Sequence, residues 1–336
     1  MSSRLTFFDK TGVRIAELDA TFRRSWRLNE YGIGSFTLST QDAKAILDNL
    51  QFGNFIYAEH DKLPAWGGII DTPRTWGEGK ITCSAYSGEY LMTMRITPRT
   101  LNLKGSYGSI YDDLIKSRGH RLVRSGDIFG GGPVVRMIYN YADIYAEMKK
   151  LAADSGYEFS FEPAINTNGG LYFSANWYEK RGMERPFILY EDRHLRLSGT
   201  ILREQGEIRN RLRIYGEGAS FETRPVSKMD NRESSDKYGA RWKAIYAGPF
   251  SGQALEDVAL KLSKEYAEPR NTFDLTILDE GDAFKNSRIG NILPLELYSV
   301  GFTGASLGLS TKNRFLQMDF DEENKLLKVV ADEVLE

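Results

Sequence analysis

An apolar period of two, recurring along most of the 336 residues, constrains this chain more than any other feature. In Gly34-Ser35-Phe36-Thr37-Leu38-Ser39, Phe36 and Leu38 alternate with small hydroxyl residues. Ile81, Cys83 and Ala85 repeat the pattern, as do Leu171, Phe173, Ala175 and Trp177. Further along come Leu212 and Ile214, then Phe273, Leu275 and Ile277, then Leu316, Met318 and Phe320. Successive strand side chains point to opposite faces, so each run reads as a half-buried strand. Half-buried strands in this number imply antiparallel sheets in sandwiches or barrels. Phe36 and Leu38 then face a core, while Ser35, Thr37 and Ser39 face water or a partner.

A period of 3.6 is visible in four places. Ala43, Ile46, Leu47 and Leu50 predict a helix with Thr40 as N-cap. Tyr107, Ile110, Tyr111 and Leu114 predict another, capped by Ser106 and stopped near Gly119. Tyr141, Ile144, Tyr145, Met148, Leu151 and Ala152 give the longest stripe, ended at Ser155-Gly156. Leu255, Val258, Ala259, Leu262 and Tyr266 give the last, closed by Glu268-Pro269 because the proline ring disfavours helix before it. In order, the outer regions share one grammar of strands, one helix and strands. A small α/β region lies between them. The proline-containing stretches at Thr97-Pro98-Arg99 and Glu184-Arg185-Pro186 suggest the boundaries. The expected fold class is mainly β with an α+β insert, divided at 1–96, 97–187 and 188–336.

Composition removes several function classes. With 44 basic and 46 acidic residues, binding to nucleic acid driven mainly by net charge is not expected. The single Cys83 forms no internal disulfide, and its place between Ile81 and Ala85 suits a buried small hydrophobe. His60, His120 and His194 lie far apart in sequence, without zinc-ligand spacing, and read as surface or strand-end residues. No apolar run approaches 18 residues, and no signal architecture opens the chain, so stable membrane insertion is not expected.

Candidate chemical motifs are few. Gly304-Ala305-Ser306-Leu307-Gly308 matches the hydrolase G-x-S-x-G string, but a strand pattern follows it and no histidine lies beyond His194. Gly32-Ile33-Gly34 and Gly130-Gly131-Gly132 complete neither a dinucleotide fingerprint nor a P-loop, and read as turns. The acids around Gly281 (Asp279, Glu280, Asp282) and the alternating Asp319, Asp321 and Glu323 lack EF-hand spacing and sit where turns are expected. No cofactor or metal and no catalytic residue is assigned.

One resemblance spans most of the chain. The run Tyr31 to Ser39, the run Leu50-Gln-Phe-Gly-Asn-Phe-Ile-Tyr57 and the run Ala65-Trp-Gly-Gly-Ile-Ile-Asp71 resemble the opening of bacteriophage tail-hub and baseplate-hub proteins. These include siphophage tail-associated and prophage tail endopeptidase-like proteins. Asn210-Arg-Leu-Arg-Ile-Tyr-Gly216, Lys237-Tyr-Gly239 and Ile289-Gly-Asn-Ile292 fit the same pattern. The resemblance implies two tube-like β domains and a homotrimer whose six similar domains form a ring at the virion tail tip, assembled in the host cytoplasm. It implies a distal tail protein, a tape-measure protein and a central spike or fibre as partners, with no sequence-specific nucleic acid among them. Ser35, Thr37 and Ser39 become candidates for a partner- or lumen-facing strand. No catalytic set replaces the enzyme modules some relatives carry, so a non-enzymatic role is expected. A tail-associated cell-wall hydrolase, or a carbohydrate-binding adhesin using Tyr172 and Trp177, is the alternative.

Overall fold

The computed structural model describes residues 3–334 apart from 197–201, 206–207, 219–222, 248–249 and 300–307. The G-x-S-x-G string at 304–308 therefore falls almost wholly outside the described residues. The chain divides into two compact units, residues 202–272 and most of the remainder. The limits expected at 96/97 and 187/188 both fall inside the larger unit.

The larger unit opens with a closed barrel. Its strands are β1 (Ser3–Phe8), β2 (Arg14–Arg27), β3 (Ile33–Ser39), β4 (Phe55–Ala58), β5 (Trp66–Gly77) and β6 (Lys80–Ser87). They pair in the ring β1-β4-β5-β6-β3-β2, and β2 closes back on β1. Closure leaves this barrel no free edge, which protects it from open-ended strand pairing. Inward residues alternate as the sequence predicts: Phe36, Leu38, Cys83 and Ala85 are at most 1 % exposed, with Phe7, Phe22 and Trp66 completing the core. Gly34 is required beneath Trp66 and Phe22, because a Cβ there would meet the Trp66 ring at 2.7 Å.

Residues 41–50 do not become a helix; they form successive turns. Asp42 accepts the Lys44 N–H at 2.8 Å, and Asn54 donates to the Asp48 and Asn49 carbonyls at 2.7 and 3.2 Å. Short polar side chains compete here with the helical ladder. Leu50 alone of the predicted stripe reaches the core, while Ile46 and Leu47 stay exposed.

The α/β layer follows. A two-stranded ribbon joins β7 (Leu101–Gly105) to β9 (Val135–Tyr139). A three-stranded sheet holds β8 (Val123–Ile128), β10 (Glu158–Ile165) and β11 (Leu171–Tyr178), with β11 antiparallel to β10 and parallel to β8. Helix α1 (Tyr107–Arg118) starts and stops as the sequence predicts, at Ser106 and Gly119. Helix α2 (Ile144–Ser155) starts later than its apolar stripe suggests, because Asp143 caps it by accepting the Ala146 N–H. Gly156 ends it in the left-handed conformation.

A short strand, β12 (Leu189–Tyr190), and a single turn, α3 (Glu191–His194), precede the smaller unit. That unit carries β13 (Leu202–Gln205), β14 (Arg211–Tyr215), β15 (Val226–Asp230), α4 (Arg232–Tyr238), β16 (Trp242–Tyr246) and α5 (Gly252–Glu265). β14 is the centre of a three-stranded sheet, antiparallel to β15 and parallel to β16. Its Leu212 and Ile214 are fully buried, together with Leu255 and Ala259 of α5.

The chain then runs through β17 (Arg270–Leu278), α6 (Ala283–Asn286), β18 (Ile292–Leu297), β19 (Leu309–Asp321) and β20 (Leu326–Glu333). In the larger unit these strands form the path β12-β18-β19-β20-β17. Leu195 bridges Ile277, so the segment after β12 also reaches β17 at the other end of that path. A bulge between Phe315 and Gln317 shifts the alternation of β19 by one. Phe315 therefore joins Met318 and Phe320 inside, and Leu316, expected inside, is only half-buried.

Candidate assembly surface

The three hydroxyl residues of β3 lie where the alternation places them. Ser35, Thr37 and Ser39 share the barrel's outward face, opposite the buried Phe36 and Leu38. Registers extend this face sideways. Thr37 stands between Thr21 of β2 and Thr82 of β6, and Ser35 between Arg23 and Ser84. The Thr37 and Thr82 hydroxyls share a hydrogen bond of 2.9 Å.

The row does not stop at the barrel. β2 pairs with β19 as well as β3, placing Arg23 opposite Asp321. Arg23 contacts the Asp321 carboxylate at 3.2 Å and Glu323 at 3.6 Å. Burial would raise the Asp321 carboxyl, but the Asn324 side chain and N–H, together with Arg23, hold it below the usual range. Asp319 and Lys328 continue the row across β19 and β20. One outward surface therefore runs through β6-β3-β2-β19-β20, and a depression of about 360 Å³ on it is lined by Arg23, Ser35, Asp319, Asp321 and Lys328 among others. Pattern reading isolated β3 but missed the continuation, because the β2–β19 pairing joins residues some 300 positions apart.

Behind this surface the opposite side of β2 carries Arg24, which is 2 % exposed. Its guanidinium lies 5.3 Å from the ring centres of Phe22 and Phe320 and 5.8 Å from that of Trp26. Aromatic faces attract a cation, and here they are its immediate surroundings. Burial lowers its pKa to about 10, against an opposing pull from Glu322.

A cleft of about 430 Å³ in the larger unit brings Glu89 and Glu162 together with Trp66, Tyr178 and Arg181. Both acids have partners. Glu89 accepts the Ser87 hydroxyl at 2.5 Å and the Phe161 N–H at 2.9 Å. Burial pushes its carboxyl up, and those two donors offset only part of the effect. Glu162 accepts from Tyr178 and Arg181 at 3.3 and 3.2 Å. Nearby, Glu158 receives both terminal nitrogens of Arg314 at 2.7 and 2.6 Å and the Arg181 N–H at 2.7 Å. This pair fastens β10 of the α/β layer to β19.

The remaining candidates take structural places. Cys83 is fully buried, and burial pushes its thiol up to about 11. His60 accepts the Lys62 and Leu63 N–H groups through Nδ1. His120 packs on Phe55, and burial takes it down to about 4. His194 is buried rather than at the surface, accepting the Tyr190 N–H at 3.1 Å. Asp279 pairs with Lys62 at 2.7 Å. Among the described residues no group of His, Cys, Asp or Glu is arranged to hold a metal ion.

No family model and no curated protein matches the sequence. Solved structures do match, over nearly the whole chain. Prophage tail protein gp18 from Listeria monocytogenes superposes with a TM-score of 0.64 at 12 % identity, covering 98 % of this chain and 94 % of that one. The 43 kDa tail protein of prophage MuSo2 from Shewanella oneidensis gives 0.60 at 13 % identity, covering 98 % of both. An E. coli type VI secretion component, described as structurally similar to the T4 tail proteins gp27 and gp5, gives 0.55 at 10 % identity, covering 100 % of this chain and 76 % of that one. The chain has the fold of phage tail proteins.

Proposed function

We propose that this chain is a structural tail protein, and specifically a tail-tip hub that assembles as a homotrimer. The observation that carries the reading is the continuous sheet surface through β2 and β19. It couples the closed barrel to the β17–β20 sheet, so each subunit offers two β bodies side by side. Three copies then supply six ring positions, joining a six-fold tube to a three-fold spike or fibre. Cyclic closure of heterologous contacts gives a finite ring. In this reading Ser35, Thr37 and Ser39 line the ring's channel or meet an adjoining tail component. In this reading 1–96, 97–187 and 188–336 act as a first tube-like β domain, an α/β domain and a second tube-like β domain, the last containing the compact unit 202–272. Partners are a distal tail protein, a tape-measure protein and a spike or fibre, and the site of action is the virion tail tip. The role is assembly rather than catalysis, consistent with the structural partners of Glu89 and Glu162.

Mass photometry of the purified full chain, alone and with its neighbouring tail proteins, tests the stoichiometry. Trimers are expected. A species that stays monomeric under both conditions would overturn the hub reading while leaving the fold intact.

A further inference from the structure

The smaller unit presents a surface of a different kind. Its three-stranded sheet is covered on one side by α5, against which Leu212 and Ile214 are buried. The other side is open. On β16 that side carries Trp242, Ala244 and Tyr246, with Trp242 54 % and Tyr246 57 % exposed. Register places Arg211 beside Trp242, Arg213 beside Ala244, and Tyr215 beside Tyr246. Arginines lie against the rings: the Arg213 guanidinium is 4.6 Å from the Trp242 ring centre and Arg211 is 5.3 Å from it. Arg224, from the loop before β15, lies 4.7 Å from the Tyr246 ring centre.

The chemistry of the face is one-sided. The outward positions of β14, β15 and β16 hold the cations Arg211, Arg213 and Lys228 and the single acid Asp230. Asp230 already pairs with Arg213 at 3.3 Å. Among the described residues the outward strand positions therefore offer mostly hydrogen-bond donors and flat rings, with Asp230 and the Tyr215 and Tyr246 hydroxyls as the side-chain acceptors. Sugar hydroxyls both donate and accept, so a glycan would meet more donors here than the acceptors it needs. A phosphodiester backbone only accepts, and arginine suits it in charge and geometry. Rings spaced along a strand among such cations stack on unpaired bases, whereas bases inside a duplex present no free face. Tyr246 lies four positions after Trp242, about 13 Å along a strand, which lets two bases occupy separate platforms.

We infer that the open face of β14–β16 binds single-stranded nucleic acid without sequence preference, through Trp242 and Tyr246 as stacking platforms and Arg211, Arg213, Arg224 and Lys228 as phosphate contacts. The whole-chain net charge of -2 obscures this local excess. The inference does not depend on the hub assignment.

Fluorescence anisotropy of the full chain with a labelled oligothymidylate of about 15 nucleotides tests it, since one small sheet covers a site of that order. Binding is expected to weaken with salt at a slope of about -2 to -3, from roughly three or four phosphate contacts. Trp242→Ala is expected to lower affinity about tenfold, the size of one lost stacking contact. Trp242→Phe keeps a ring and is expected to stay within about threefold of the parent. Circular dichroism checks that both variants are folded. Absence of binding at low salt would overturn the inference. So would binding that Trp242→Ala combined with Tyr246→Ala leaves unchanged, or displacement by alginate at lower concentrations than by unlabelled oligothymidylate.

Discussion

The outward row of the barrel and the open face of the smaller unit are built on the same strand alternation and have opposite chemistry. The barrel row is made of hydroxyls and paired charges: Thr37 with Thr82, Arg23 with Asp321. Its groups largely satisfy one another and present a polar surface of mixed sign. The face of β14–β16 holds exposed rings interleaved with arginines whose sole outward acid is already engaged. Alternation decides which side chains face out. The identity of those side chains decides whether the face suits assembly with protein or contact with a polyanion.

The largest effect belongs to the barrel's inward side. Phe36→Ala is expected to cost about 3–5 kcal/mol in urea unfolding, since the ring is fully buried among core residues. Its outward neighbour Thr37→Ala should cost about 1 kcal/mol, the worth of one partly exposed hydrogen bond. Equal costs at the two positions would break the assignment of faces.

Next comes the anchor that holds β19 against the α/β layer. Glu158→Gln leaves Arg314 without its carboxylate in a nearly buried site, and about 3 kcal/mol of destabilisation is expected. Arg314→Leu in the same background should recover part of it, as a double-mutant cycle would read. A loss below about 1 kcal/mol would show that the pair behaves like an exposed ion pair.

The two buried glutamates should also separate in pH. Burial tends to raise Glu158, but the Arg314 and Arg181 contacts outweigh it and hold the carboxyl below the usual range. Its contribution is therefore present above the unfolded value of about 4.3 and lost as pH falls through the lower folded value. Glu89 is raised by burial, so its contribution is present below about 4.3 and lost as pH rises through the higher folded value. Urea midpoints measured across pH should show Glu158→Gln removing the acid-side loss. Glu89→Gln should instead flatten the decline toward neutral pH.

The smallest effect falls on the open face. Trp242→Leu should change stability by about 1 kcal/mol or less, because the ring is more exposed than buried and its arginine contacts are at the surface. A cost of several kcal/mol would mean that the ring supports the fold of the smaller unit rather than an outside contact.

Much of this architecture is legible in the sequence because it depends on local alternation and capping. Phe36 and Leu38, Leu171 to Trp177, and α1 between Ser106 and Gly119 needed no distant information. What resisted reading depended on competition or on distance. Asp42 and Asn54 redirect the 41–50 stripe into turns, and one bulge exchanges Leu316 for Phe315. The β2–β19 junction and the parallel β14–β16 pair join strands far apart or separated by a helix. The basic-aromatic face did leave a trace, in the alternation of Arg211, Arg213 and Tyr215 and of Trp242, Ala244 and Tyr246. Only their register showed that the two runs form one surface.

The proposed trimeric hub turns its β6-β3-β2-β19-β20 surface toward the ring's channel or an adjoining tail component. Cryo-electron microscopy of tails containing the full chain tests it most directly. The expected density shows three copies around the tail axis, with Ser35, Thr37 and Ser39 toward the channel or an adjoining tail component. A single copy per tail, or a ring with that row turned to open solvent, would contradict it.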